Sequence, residues 1–128
     1  TQRRYAQFLG YDLSAANDWP EIRDGMAHAL QTDESFDTSV EHSILGVTSK
    51  SRVLGIATND LLVHTWDLAR ATGGDERLDA GAVAACHEIV AAVPQEIARR
   101  PEVWGDLIEV GADADLQTRF LAMVGRRT

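Results

Sequence analysis

The sequence predicts an all-α fold, because most of its length falls into segments with apolar residues at helical spacing. Four segments carry such a stripe, namely residues 18–31, 52–72, 79–93 and 116–124. Proline or glycine stands near the ends of these segments, as expected of residues that break helices. The polar stretch 32–50 differs, since its alternating residues near 38–47 either pair as a short β-hairpin or stay irregular.

Composition indicates one globular domain. The chain has 128 residues, of which 45% are hydrophobic and 25% charged, so we expect residues 1–128 to form a single domain with a modest core. Twenty acidic against twelve basic residues give a net charge of −8, which argues against nucleic acid as a partner. No apolar run of membrane-spanning length and no secretory signal is visible, so we expect a cytoplasmic protein without a membrane partner.

Capping residues and glycines divide the first half of the chain into helices. Residues 1–9 are predicted to be the last turns of a helix that ends before Gly10. Asp18 is the expected N-cap of the next helix, with Pro20 in its first turn. Gly73 closes the long helix that begins near residue 52, because glycine tolerates the left-handed conformation of a helix C-terminus.

The second half contains two further helices joined by a loop. Asp79 is the expected cap of a helix that runs to about residue 93, where Pro94 either kinks it or marks a new start. Residues 101–112 are predicted to be a loop, and the last helix ends at Gly125. Cys86 is the only cysteine, which excludes an intrachain disulfide, and its place on an apolar stripe predicts a small buried side chain.

The long helix carries an aspartate and a histidine, Asp60 and His64, four residues apart and therefore on one face. That face is expected to be buried, because it belongs to the stripe Val53, Ala57, Asp60, Leu61, His64 and Leu68. A buried carboxylate and imidazole need a partner, and a shared metal ion is one candidate. The alternative is that the two side chains bond each other, or other buried polar groups, and do no chemistry.

Three other histidines are candidates for the same chemistry. Asp24 and His28 repeat the spacing of the first pair, but they point away from the apolar positions of their helix, which predicts a solvated face. His42 precedes the long helix and is either a third ligand or substrate contact, or a surface histidine. His87 borders a core stripe and is either an outer partner of His64 or a half-exposed side chain.

Asp67 has two interpretations. It lies three residues after His64 and three before Arg70, so it shares a helix face with both. An ion pair between Asp67 and Arg70 at the helix end is the plainer expectation. The alternative is that Asp67 orients His64 or binds the metal directly. Trp66 is expected in the core, where an aromatic residue at helical spacing is usually found.

The segment from His64 to Gly73, His-Thr-Trp-Asp-Leu-Ala-Arg-Ala-Thr-Gly, resembles the signature helix of the DinB-like metal-binding superfamily. It is most similar to the actinobacterial branch related to the N-terminal domain of mycothiol-dependent maleylpyruvate isomerase. The likeness continues through residues 74–79 and returns at residues 112–126. Residues 1–4 resemble the end of that family's metal-ligand helix.

This resemblance implies an antiparallel four-helix bundle that holds one divalent metal ion, zinc first and nickel as the alternative. Asp60 and His64 occupy the positions of two ligands, with Asp60 where the isomerase has glutamate. The family takes a further histidine from an earlier helix, whereas no histidine precedes His28 here. The resemblance therefore implies a bundle that lacks part of its N-terminal helix and one ligand.

Two functions remain open on the sequence. The first is a metal-binding protein whose open coordination position takes water or a small-molecule thiol, mycothiol in the resembled isomerase, giving a thiol-dependent isomerase or transferase. The second is a non-catalytic helix bundle that self-associates, most simply as a homodimer, with Asp60 and His64 as a buried polar pair.

Overall fold

A computed structural model of the chain describes residues 18–32, 35–42, 46–100 and 103–128. Five helices lie in these residues: α1 (Trp19–Thr32), α2 (Lys50–Thr72), α3 (Ala80–Ala91), α4 (Gln95–Ala98) and α5 (Leu116–Met123). Strands β1 (Ser39–His42) and β2 (Gly46–Ser49) make a two-stranded antiparallel sheet. The mostly helical fold is confirmed, whereas the helix predicted at residues 1–9 lies outside the described residues. Among the described helices, none has the length and apolarity needed to cross a bilayer.

The β-hairpin predicted near residues 38–47 is present. Its register pairs Ser39 with Ser49 and His42 with Gly46, so the second strand extends two residues beyond the predicted stretch. β2 leads directly into α2, and the amide of Lys50 donates to the carbonyl of Thr38 at 3.0 Å. The hairpin therefore holds the first turn of α2 against the residues that precede β1.

Aspartates cap three of the helices. In each case a side-chain oxygen accepts a backbone N–H three residues on: Asp18 from Glu21 at 3.0 Å, Asp79 from Ala82 at 2.8 Å and Asp115 from Thr118 at 2.7 Å. The first two caps confirm the sequence prediction, and each satisfies a backbone donor that the helix itself leaves unpaired. Pro94 marks a new start, because α3 ends at Ala91 and α4 begins at Gln95.

The described residues fall into two compact units, one ending at Ala57 and the other beginning at Thr58. In the first unit the buried apolar residues are Met26 and Ala29 on α1 and Val53 and Ala57 on α2. The second unit has a core cluster drawn from α2, α3, α5 and the turn after α5: Val63, Trp66, Val83, Cys86, Val90, Phe120, Leu121 and Val124. The burial of Trp66 and Cys86 confirms the expectation for both.

The expected buried stripe of α2 is wrong beyond Ala57. Leu61 and Leu68 are 46% and 65% exposed, and the side chains of Asp60 and His64 are exposed by 47% and 61%. The buried residues of this part of α2 are instead Asn59, Val63 and Trp66. Both sets have helical spacing, so the sequence pattern fits either. The core of the second unit packs against Val63 and Trp66, and this decides which side of α2 is covered.

Candidate metal centre

Asp60 and His64 lie side by side on the exposed face of α2. The Nε2 atom of His64 is 3.4 Å from Oδ1 of Asp60, as the i,i+4 spacing predicts. Roughly half of each side chain is open to solvent, so the expectation that this pair is buried is wrong. The pair is therefore accessible to an ion or a small molecule from solution.

The second nitrogen of His64 is bonded to a different carboxylate. Its Nδ1 atom lies 3.0 Å from Oδ2 of Asp67, one turn further along α2. Arg126 donates two hydrogen bonds to the same carboxylate, from Nε to Oδ1 at 3.2 Å and from Nη2 to Oδ2 at 2.9 Å. Both oxygens of Asp67 are thus engaged, which favours the interpretation that this residue orients His64.

The predicted ion pair between Asp67 and Arg70 is wrong. Arg70 donates instead to the carbonyl of Arg127 at 2.9 Å and to Glu76 at 3.4 Å, and its guanidinium carbon lies 4.8 Å from the ring centre of Trp66. Stacking on an aromatic face is favourable for a guanidinium. Arg70 is therefore held by partners other than Asp67, although its side chain is 45% exposed, and Arg126 pairs with Asp67 instead.

Arg126 reaches Asp67 because the chain turns sharply after α5. Gly125 has a φ of +78°, and the amide of Arg126 donates to the carbonyl of Leu121 at 2.8 Å, which is a glycine-terminated helix end. A Cβ atom on Gly125 would stand 3.1 Å from Cα of Gly105, so the close approach also favours glycine. Arg126 further donates to the carbonyl of Val124 at 2.8 Å, which fixes its direction.

The charges around Asp67 determine where the proton of His64 lies. Hydrogen bonds from Arg126 first, and then from His64, hold the pKa of Asp67 below its usual value, against the opposing effect of partial burial. An ionised carboxylate can only accept hydrogen bonds, so Nδ1 of His64 must carry the hydrogen between them. In the neutral imidazole the lone pair then lies on Nε2, the atom that faces Asp60.

The distance between Nε2 of His64 and Oδ1 of Asp60 fits two ligands of one metal ion. Two ligands of a tetrahedral zinc ion, each about 2.0–2.1 Å from the metal, lie about 3.3–3.4 Å apart. The observed separation is 3.4 Å. Metal-bound histidines commonly donate their other nitrogen to a carboxylate, which is what His64 does with Asp67. The pair therefore has the separation of two zinc ligands, which is also that of an ordinary i,i+4 contact between histidine and aspartate.

No further ligand joins the pair within the part of the chain that the structure describes. In residues 18–32, 35–42, 46–100 and 103–128, no group of three or more His, Cys, Asp or Glu residues is arranged to hold a metal ion. His42 lies on β1 and His87 on α3, and both are half-buried. The alternative that His42 is a third ligand has no support in this geometry, and the partial exposure of His87 agrees with the expectation of a half-exposed side chain.

The other candidates follow their plainer interpretations. Asp24 and His28 on α1 are exposed, as predicted, and Asp24 pairs with Arg23 at 2.7 Å. Cys86 is fully buried, and burial raises the pKa of its thiol, so a reactive thiolate is disfavoured there. Both Asp-x-x-x-His pairs are thus exposed, and the pair on α2 has the additional contacts of His64 with Asp67 and of Asp67 with Arg126.

Comparison with known proteins identifies no family for this chain. No family model, curated protein or solved structure matches the chain. The DinB-like resemblance thus remains a prediction that rests on the residues from His64 to Gly73. The contact between Arg126 and Asp67 could not be predicted from the sequence. Arg126 lies 59 positions from Asp67, and only the folded chain brings the two together.

The contact between Asp67 and Arg126 predicts a pH dependence of stability. Because the pKa of Asp67 is lowered in the folded protein, its contribution is present above the unfolded value of about 3.9 and is lost as the pH falls further. In metal-free protein, the difference in unfolding free energy between wild type and Asp67→Asn should shrink from about pH 5 to pH 3. Urea titrations across this range measure it, and a difference that grows on acidification would contradict the assignment.

Proposed function

We propose that this protein binds one divalent metal ion, zinc first and nickel as the alternative, through Asp60 and His64. The observation that supports the proposal is the 3.4 Å separation of Nε2 and Oδ1, with Asp67 on the opposite nitrogen of the imidazole. Imidazole and carboxylate are common zinc ligands. The exposure of the pair leaves room for ligands from outside this part of the chain.

Each side chain of the site has a separate task in this proposal. Asp67 keeps the hydrogen on Nδ1 of His64 and so directs the lone pair of Nε2 outward. Arg126 holds Asp67 in place and ionised, which keeps the imidazole ring in one orientation. Asp60 supplies a hard oxygen and a negative charge. A zinc ion bound there would lower the pKa of water or a thiol in an open position, giving a nucleophile near neutral pH.

The reaction class follows only from the resemblance of residues 64–73 to the DinB-like superfamily. On that basis we propose a thiol-dependent isomerase or transferase built on a DinB-like bundle, with mycothiol or another small thiol as cosubstrate. Similarity of fold does not establish which reaction a protein catalyses, so metal binding at the site has to be tested first. A cytoplasmic location belongs to the same proposal, since the single cysteine is unpaired and buried.

Zinc affinity of histidine variants tests the proposal. In wild-type protein we expect saturable zinc binding, measured by calorimetric titration against a competing chelator. His64→Ala removes a ligand, so its affinity should fall by more than the roughly 10–100-fold that loss of an outer partner usually costs. His28→Ala is the matched control, because His28 is also exposed on a helix and has the same spacing from an aspartate.

The two variants separate the proposal from unspecific binding. Retained affinity in His28→Ala together with the loss in His64→Ala supports the site. Equal affinity in His64→Ala and wild type would overturn it, because zinc would then be bound elsewhere. Circular dichroism should show unchanged helix content for both variants, since both side chains are exposed.

A non-catalytic module that self-associates is the second candidate, and one observation favours it. Leu61 and Leu68 are large apolar residues that stay exposed beside Asp60 and His64. Exposed apolar patches often mark interaction surfaces. If this function is right, the chain associates equally well with and without a chelator, and His64→Ala leaves its mass in solution unchanged.

A further inference from the structure

The exposed face of α2 has the spacing of a helix–helix seam. Leu61, His64, Leu68 and Ala71 are all exposed and follow one another at intervals of three, four and three residues. Such alternation of three and four places side chains along one stripe, as in the a and d positions of a coiled coil. Asp60 borders the stripe directly beside His64. The stripe therefore fits a second helix better than it fits a single small molecule.

The candidate metal site on this face lacks two of the four ligands of a closed zinc site. A closed tetrahedral zinc site has four protein ligands, and Asp60 and His64 supply two of them. Asp67 is not a free third ligand, since both of its oxygens are held by Arg126 and His64. If two copies of the chain were related by a two-fold axis through the metal ion, each copy would supply one aspartate and one histidine. The ion would then have four protein ligands.

The negative charge on this face of α2 affects whether two copies of the chain can pair. Asp60 borders it, Asp67 is already paired with Arg126, and the leucines and Ala71 of the stripe carry no charge. Two copies of the face would bring their Asp60 carboxylates together, which is unfavourable. A divalent cation between them would offset this repulsion, so the pairing should depend on the metal.

We propose that two copies of this chain pair through α2 around one shared divalent ion, with Asp60 and His64 of each copy as its ligands. The proposal rests on the metal binding proposed above for Asp60 and His64. Because four protein ligands close a tetrahedral site, the shared ion would be structural and would have no open position for water or a thiol. Leu61 and Leu68 bury apolar surface beside the ion, and Asp67 with Arg126 orients each histidine. The site is complete only in the dimer.

Sedimentation with metal analysis of the full chain tests this arrangement. At tens of micromolar protein, we expect a monomer with EDTA and a species of twice the chain mass with zinc. The dimer should contain one zinc ion for every two chains. His64→Ala should stay monomeric in both conditions.

Two leucine variants test the interface without touching a ligand. Leu68→Glu places a charge in the stripe at a residue that is 65% exposed, so the fold should persist while zinc-dependent pairing is lost. Leu107→Glu is the matched control, because Leu107 is 54% exposed but lies outside α2. Pairing in Leu107→Glu together with its loss in Leu68→Glu supports the seam, with circular dichroism as the check on folding.

The outcomes separate this inference from the function on which it rests. One zinc ion per monomeric chain would overturn the shared site while leaving metal binding by Asp60 and His64 intact. Dimers that persist in EDTA would overturn metal-mediated pairing in favour of the non-catalytic module. No zinc binding at all would overturn both proposals, whereas equal pairing in wild type and Leu68→Glu would overturn the α2 interface.

Discussion

Replacing Phe120 by alanine is expected to lower the free energy of unfolding by about 3–5 kcal/mol. Phe120 on α5 has no exposed surface and belongs to the core cluster of the second unit. Its removal takes away buried apolar surface and leaves a cavity that the packed helices α3 and α5 can fill only in part. Urea denaturation followed by circular dichroism measures the change.

Leu116 provides a matched control on the same helix. It is 37% exposed, so Leu116→Ala should cost roughly 1 kcal/mol or less. A Phe120→Ala cost as small as that of Leu116→Ala would contradict the placement of Phe120 in the core. Phe120→Leu should lie between the two, because most of the buried volume is kept.

Replacing Trp66 by alanine is expected to destabilise the protein by a similar amount, about 3–5 kcal/mol. Trp66 is 3% exposed in the core cluster and also carries Arg70 on its ring, with 4.8 Å from the guanidinium carbon to the ring centre. The stacking adds only about 0.5–1 kcal/mol at a partly exposed site, so burial is the larger effect. Urea denaturation is again the measurement.

Leu68→Ala is the informative control, since Trp66 and Leu68 lie on opposite sides of α2. Leu68 is 65% exposed, so its replacement should change stability by no more than about 0.5 kcal/mol. The sequence predicted that Leu68 lies in the core as well as Trp66. If Leu68→Ala proved more costly than Trp66→Ala, the buried face of α2 would be the one that the stripe predicted.

Metal binding and the burial of Trp66 are connected through the orientation of α2. Burying Val63 and Trp66 directs His64 to solvent, because His64 is one residue from Val63 and two from Trp66, about 100° and 200° round the helix. Asp60 lies one turn before His64 and borders the same exposed face. The same orientation brings Asp67 to the border of the core, where Arg126 can reach it. The exposed position of the candidate site is thus a consequence of packing on the other side of the helix.

Features that depend on near neighbours could be predicted from the sequence. The caps at Asp18 and Asp79 were predicted directly. For the hairpin near residues 38–47 and the new helix after Pro94, the sequence predicted the observed outcome as one of two alternatives. The closeness of Asp60 and His64 belongs to the same class, since it needs only the geometry of one helix.

Only the tertiary structure decided which side of α2 is covered and which partner Asp67 has. The apolar stripe through Leu61 and Leu68 and the one through Val63 and Trp66 both have helical spacing, so helical periodicity alone could not choose between them. The choice depends on where α3 and α5 pack, and the partner of Asp67 depends on a turn 59 residues away. Local geometry fixes what lies within a helix, whereas burial is fixed by segments far apart in the chain.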